Sequence, residues 1–268
     1  MICLGIFSGL LICSDVDGTF SVNTQTVPAN IEAVKYFTKN GGRFSIATGR
    51  TAAYLKKLDF FELINAPACI CNGSIVYDYE KEKILREKHE DFTLGEFLEA
   101  TKIFKDSLSG LYVYFTPQTV QAQNTVTLGF KKEELLEKPI KIVCTFEAEE
   151  DLAAFKAHCR KLPLFKNTYI ANSWNTGLEF NSLDGTKGSA IKFIKDFLPH
   201  IHTCVAIGDY ENDIPMLKAA DIAVCVGDGS KEVKEKADLI VANAKEGAVA
   251  DLIRILEEKI KKKENIAY

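Results

Sequence analysis

The chain has 268 residues, 47% apolar and 26% charged, with a formal net charge of -4. That mix is long enough and apolar enough to bury a proper core, and it argues against a disordered polymer. The basic residues are spread along the chain rather than gathered into a face or stripe, which argues against a nucleic-acid partner.

The opening MICLGIFSGLLI resembles the apolar part of a signal segment, but no Lys or Arg precedes it. It runs straight into a polar motif, and it is too short to span a membrane. Its second half reads as a buried strand, and its first half stays unassigned. A helix follows Pro28, with Ile31, Val34, Tyr36 and Phe37 at helical spacing, and Asn40-Gly41-Gly42 stops it. RFSIATGR is a short strand with a polar end. A helix is expected from about Thr51 to Ile64, then the strand ACICN after Pro67. Strand, helix, strand in this order is the mark of a parallel α/β sheet.

From Tyr79 to about Asp184 the style changes to charged helices and alternating segments such as LYVYFT, TVQAQN and IKIVCTF. KKEELLEK reads as a solvated helix or turn. After Gly185 the α/β pattern resumes, with helix KGSAIKFIKDF, strand CVAIGD, helix NDIPMLKAA, strand IAVCV, helix VKEKA and strand DLIV. The last helix, GAVADLIRILEEKIKKK, ends in a basic tail that suits its own dipole. The expected fold is a Rossmann-like parallel-sheet core over 1–78 and 185–268, interrupted by an inserted α+β cap over 79–184.

Of the eight cysteines, Cys13, Cys69, Cys71, Cys204 and Cys225 lie in these apolar strands, where thiols act as small buried hydrophobes. No second Cys or His pair follows Cys69 and Cys71 at zinc-ligand spacing. Reduced core thiols and a cytoplasmic setting are expected.

In open parallel sheets the functional residues gather at the carboxyl ends of the strands. Those ends carry Asp15-Val16-Asp17-Gly18-Thr19, Thr48-Gly49-Arg50, Asn72-Gly73, and Gly208-Asp209 with Asn212 and Asp213. Lys187 stands at the start of a helix entering the same sheet. Four carboxylates on one rim would repel and raise one another's pKa unless a cation neutralised them. Mg²⁺ with oxygen ligands does so, and the Lys, Arg and Thr can then hold phosphoryl oxygens. An Asp can serve as the nucleophile for phosphoryl transfer. Each string alone fits an ordinary turn or helix cap. Their joint occurrence, each at a strand end or helix start, points to a site.

Together DVDGT, ATGR, Lys187-Gly188 and GDYEND resemble motifs one to four of the haloacid-dehalogenase superfamily. The placement of the insertion, with NGS at 72–74, is similar to the Cof-like, type IIB-capped sugar-phosphate phosphatases. The resemblance implies Asp15 as nucleophile and metal ligand, and Asp17 as general acid and base with its carbonyl on the metal. It implies Thr48, Gly49 and Lys187 on the phosphoryl oxygens, and Asp209 and Asp213 around Mg²⁺. Asn212 would orient phosphate or Lys187, and Asn72 and Arg50 would face a small phosphorylated substrate. The presence of Asp17 favours phosphoryl chemistry over dehalogenation, since only an alcohol leaving group needs its proton. Phe20, where an aliphatic residue is common, is a small departure. A sugar phosphomutase on the same core is the first rival. A non-catalytic sugar-phosphate-binding regulator is the second, and the intact Asp15, Asp17, Lys187 and Asp209 count against it. His89, His158, His200 and His202 stand outside every motif, and Trp174 reads equally as cap core or as a stacking platform.

Overall fold

The computed structural model describes residues 5–116, 121–123 and 129–262. The chain enters the core through β1 (Leu10–Ser14), every residue of which is buried. A continuous apolar run of this kind suits a central parallel strand covered on both faces. A two-residue hairpin, β2 (Ser21–Val22) and β3 (Gln25–Thr26), leads to α1 (Pro28–Lys39) and β4 (Arg43–Ile46). Pro28 occupies the first turn of α1, where no N–H is needed.

The expected long helix after Thr51 is a single turn, α2 (Ala52–Leu55), followed by turns and a short 3-10 segment at Phe61–Leu63. Two contacts draw the chain out of helical geometry. Phe60 is fully buried with its ring 4.3 Å from that of Phe20, and Asp59 accepts a 2.6 Å hydrogen bond from Thr26. Phe20, the departure noted in the first motif, is therefore a core residue.

β5 (Ala68–Ile70), β6 (Ile75–Asp78) and β7 (Lys83–Glu87) form an antiparallel sheet, joined to β4 by a parallel bridge between Ala47 and Cys69. The expected boundary between residues 78 and 79 thus falls inside a hairpin, and β7 stays paired to β6 before the chain leaves the core.

The cap comprises α3 (Leu94–Thr101), β8 (Leu108–Tyr114), β9 (Gln121–Gln123), α4 (Lys132–Leu135), β10 (Lys141–Phe146), α5 (Glu149–Cys159), β11 (Thr168–Trp174) and β12 (Gly177–Ser182). Of the segment TVQAQN, only the strand Gln121–Gln123 lies within the described residues. KKEELLEK forms the short helix α4. The cap sheet is antiparallel, ordered β11-β12-β10-β8-β9. Its period-two alternation gives it two distinct faces. Leu111, Val113, Ile142, Cys144, Leu178 and Phe180 pack with Phe97, Leu152 and Phe155 from α3 and α5. The alternate residues, among them Tyr112, Tyr114, Lys141, Val143, Thr145 and Glu179, line a cavity shared with the core.

The chain returns through Leu183–Gly185 to α6 (Lys187–Phe197), β13 (Thr203–Gly208), α7 (Ile214–Ala219), β14 (Ile222–Cys225), α8 (Lys231–Lys234), β15 (Leu239–Ile240) and α9 (Ala248–Lys261). VKEKA was expected to be helical; the helix lies slightly earlier and is one turn long. The core sheet is parallel throughout, ordered β15-β14-β13-β1-β4. Leu10 and Ile12 face the layer that includes Val34 of α1 and Leu252 of α9, while Leu11 and Cys13 face Ile191 of α6 and Met216 of α7. All parallel strand ends consequently open on one rim. Among the described residues no helix is long and apolar enough to cross a membrane.

Candidate active site

The rim is built from tightly tied strand ends. Asp15 follows β1 directly, and its amide donates to the Ile207 carbonyl of β13 at 2.9 Å. Asp209 follows β13. The next turn brings Asp213 back, so that its Oδ2 accepts from the amides of Asp209 at 2.9 Å and Tyr210 at 3.3 Å. Two glycines allow this closeness. A Cβ on Gly208 would stand 2.4 Å from Asp213 Oδ2, and one on Gly18, whose φ is +85°, would stand 2.5 Å from Asp209 Oδ2. Thr19 donates to Asp209 Oδ1 at 3.3 Å.

Lys187, in the first turn of α6, lies at the centre. Thr186 caps that helix by accepting from the Ser189 amide at 3.2 Å. The Lys187 ammonium is 2.6 Å from Asp15 Oδ1 and 2.6 Å from Asp213 Oδ1. Lys187 is 1% exposed, Asp15 6% and Asp213 0%. Burial alone would lower the lysine's pKa, but the two carboxylates outweigh it and hold the ammonium charged. Burial pushes Asp15 well up, with Asp213 and Asp209 adding to the rise and Lys187 opposing it. Asp209 is pushed up to about 7, first by burial and then by Asp213.

Oxygens of Asp15, Asp209 and Asp213 all lie within 4.8 Å of one another. One ammonium cannot neutralise three carboxylates, so the charge left over adds to the burial that already raises Asp15 and Asp209. An all-carboxylate donor set of this kind fits a hard divalent cation and suits neither a soft nor a thiophilic one.

The Asp17 carboxylate is turned away from this cluster. Arg50 donates to it from Nε at 2.9 Å and from Nη2 at 3.0 Å, and the guanidinium lies 4.4 Å over the Tyr54 ring. Arg50 therefore grips Asp17 rather than standing open to a ligand. Thr48 is buried, and its Oγ1 accepts from the Arg50 amide at 3.2 Å. Asn72 sits in left-handed geometry, φ +58°, with its amide bonded to the Thr48 carbonyl at 2.9 Å. Asn tolerates that conformation better than most residues. Its buried Oδ1 has no hydrogen-bond partner. Asn212 lines the same cavity.

That cavity measures about 550 Å³, room for a metabolite-sized ligand. Asp15, Asp17, Thr48, Gly49, Arg50, Asp209 and Asn212 form its core side, with Asn72 and Lys187 at an adjoining recess. Its cap side is formed by Tyr112, Tyr114, Lys141, Glu179 and Trp174, and sequence reasoning singled out only Trp174 among them. Of the others, Lys141 and Glu179 leave only a charge set inside an apolar strand sequence, a pattern that an exposed strand face shares. A clasp beside the metal-type cluster also went unread. Glu211, between Asp209 and Asp213, receives Lys156 of the cap at 2.7 Å and the amide of Asn172 at 3.0 Å. None of the four histidines lines the cavity. His89, for one, bonds the Lys138 carbonyl at 2.8 Å and Glu87 at 2.9 Å.

A family model for haloacid dehalogenase-like hydrolases matches residues 12–253. The chain is 25% identical to the 5-amino-6-(5-phospho-D-ribitylamino)uracil phosphatase YcsE of Bacillus subtilis, over 91% of this chain and 94% of that one. It is 22% identical to the pyridoxal phosphate phosphatase YbhA of Escherichia coli, over 91% and 97%. A haloacid dehalogenase-like hydrolase from B. subtilis superposes with a TM-score of 0.78 at 20% identity, over 92% of this chain and 99% of that one. A sugar phosphatase of subclass IIB superposes at 0.75 and 20% identity, over 92% and 98%. A match over that span, with core and cap both shared, makes the chain a member of the haloacid dehalogenase-like hydrolases and a phosphoric monoester hydrolase of small phosphorylated substrates.

Proposed function

We propose that the chain hydrolyses small phosphomonoesters, sugar phosphates first, by passing the phosphoryl group through Asp15 with the help of Mg²⁺. The observation that carries this reading is the buried set of Asp15, Asp209 and Asp213 around Lys187, at the floor of a cavity roofed by the cap. Asp15, Asp209 and Asp213 would hold Mg²⁺, with the Asp17 carbonyl beside them. Bound there, the ion would offset the charge of the carboxylates and of the phosphoryl oxygens.

Asp15, ionised, attacks phosphorus as the ester oxygen departs, and Asp17 gives that oxygen its proton. Water then attacks the phosphorus of the aspartyl-phosphate and gives a proton to Asp17, which frees Asp15 and inorganic phosphate. Lys187, Thr48 and the Gly49 amide hold the phosphoryl oxygens through both steps, and Asn212 orients them. Arg50 holds the Asp17 carboxyl through two hydrogen bonds while the two are paired. An incoming phosphate dianion offers the guanidinium a second anion, so Asp17 is released to take its proton as substrate arrives. Asn72 and Arg50 then face the substrate. Every described cysteine is free and buried, which suits a reducing cytoplasm.

Two substitutions test the assignment. Asp15→Asn should abolish turnover, because an amide neither attacks phosphorus nor binds the ion well. Asp17→Asn should cost about 10²–10⁴-fold with alkyl or sugar phosphates and less with p-nitrophenyl phosphate, whose leaving group needs little protonation. Equal losses with both substrates would remove Asp17 from the acid role.

A further inference from the structure

Lys141 and Glu179 form an ion pair at 2.7 Å on the cavity face of the cap sheet, with side chains only 2% and 6% exposed. Packing does not account for it, since well-fitted apolar side chains hold such a position at least as stably as a buried ion pair. Its hydrogen bonding is also incomplete. Glu179 Oε1 meets the ammonium, but Glu179 Oε2 is buried with no partner. The ammonium has three protons. Among the described residues, two of them find acceptors, Glu179 Oε1 and the Gly49 carbonyl at 3.2 Å. The bare acceptor and an ammonium whose third proton has, among the described residues, only the Tyr114 ring, its centre 5.4 Å from the nitrogen, belong to one ion pair beside the Thr48-Gly49-Arg50 loop. Ser173 Oγ, also buried and without a partner, lines the same cavity.

We propose that Lys141 and Glu179 determine specificity by receiving a hydroxyl group of the leaving alcohol, an inference that rests on the phosphatase reading above. A hydroxyl is the small group that donates to Glu179 Oε2 and accepts from Lys141 at once. A carbonyl would leave Oε2 bare, a second anion would meet Glu179, and an ammonium would meet Lys141. Ser173 provides for a further hydroxyl, so the substrate class is a polyol or sugar phosphate rather than a plain alkyl one.

The test compares kcat/KM for glycerol 3-phosphate and n-propyl phosphate, which share chain length and differ by two hydroxyls. A site built to bond a hydroxyl rejects the analogue that lacks it, and we expect a preference of about 10²-fold or more for the glycerol ester in the unmodified chain. Glu179→Gln should shrink that ratio. The double substitution Lys141→Met with Glu179→Leu, which leaves no unpaired buried charge, should bring it near one. The ratio within each protein cancels any loss common to both esters. A ratio near one in the unmodified chain overturns the proposal, as does an undiminished ratio in the folded double variant. Failure of the phosphatase reading looks different: the unmodified chain then hydrolyses neither ester nor p-nitrophenyl phosphate.

Discussion

Glu90→Gln should make the cap more stable at alkaline pH while leaving it unchanged in acid. Glu90 lies where the chain passes from β7 into the cap, 1% exposed, with its amide bonded to the Pro139 carbonyl at 2.8 Å. Thr168 of β11 donates to one carboxyl oxygen at 2.9 Å, and the other has no partner. Burial raises its pKa from 4.5 to about 8, with the Thr168 bond opposing and Asp91 adding to the rise. Between those values the unfolded carboxyl is ionised while the folded one keeps its proton. The stabilising proton is fully in place below about pH 4.5, and its benefit falls away as pH rises towards 8. Linkage sets a ceiling of about 5 kcal/mol on that loss, and relaxation around the ionised group brings the expected value nearer ~2 kcal/mol. With a urea slope of about 2–3 kcal/mol/M, the variant's midpoint should exceed the parent's by about 1 M at pH 8.5 and match it at pH 4.5. Trp174 is the sole tryptophan and lies on the same strand as Thr168, so its fluorescence follows the cap itself. Parallel midpoint profiles for the two proteins would mean that Glu90 does not hold a proton in the folded cap that the unfolded chain gives up.

Asp209, with its pKa raised to about 7, must lose a proton to serve as a ligand, so the apparent Mg²⁺ affinity should rise between pH 6 and 8. A flat Mg²⁺ titration of activity across that range would count against its role. Lys187→Met leaves Asp15 and Asp213 without their shared cation and should cost about 3–5 kcal/mol in metal-free melts, part of it restored by saturating Mg²⁺. An unchanged melting temperature would show that the ammonium does not hold the cluster together. Glu211→Gln removes the charge that Lys156 grips across the cap and core. Its kcat/KM should fall more for a sugar phosphate than for p-nitrophenyl phosphate, and equal falls would deny the clasp a part in closing over the larger substrate.

The core was legible because parallel strands buried on both faces read as apolar runs, and their polar ends mark one rim. That logic brings Asp15, Thr48, Asn72, Lys187, Asp209 and Asp213 to one rim from the sequence alone. It could not tell that Asp17 turns to Arg50, because side-chain pairing across motifs leaves no periodic trace. The helix expected over 51–64 carries no Pro or Gly to warn of its end. Burial of Phe60 against Phe20, two distant residues, breaks it. On the cap, Lys141 and Glu179 sit at strand positions whose alternation fits solvent exposure as well as burial under a second domain. Only the docking of cap on core turns that face inward.

If Asp15 carries the phosphoryl group, the enzyme passes through an aspartyl-phosphate that can be trapped. Acid-quenched turnover of a good phosphomonoester with Mg²⁺, followed by peptide mass analysis and hydroxylamine treatment, reads that directly. A hydroxylamine-sensitive phosphoryl adduct should appear on the peptide holding Asp15 and be absent in Asp15→Asn. Steady hydrolysis with no adduct under rapid quench, or an adduct on another residue, would contradict it.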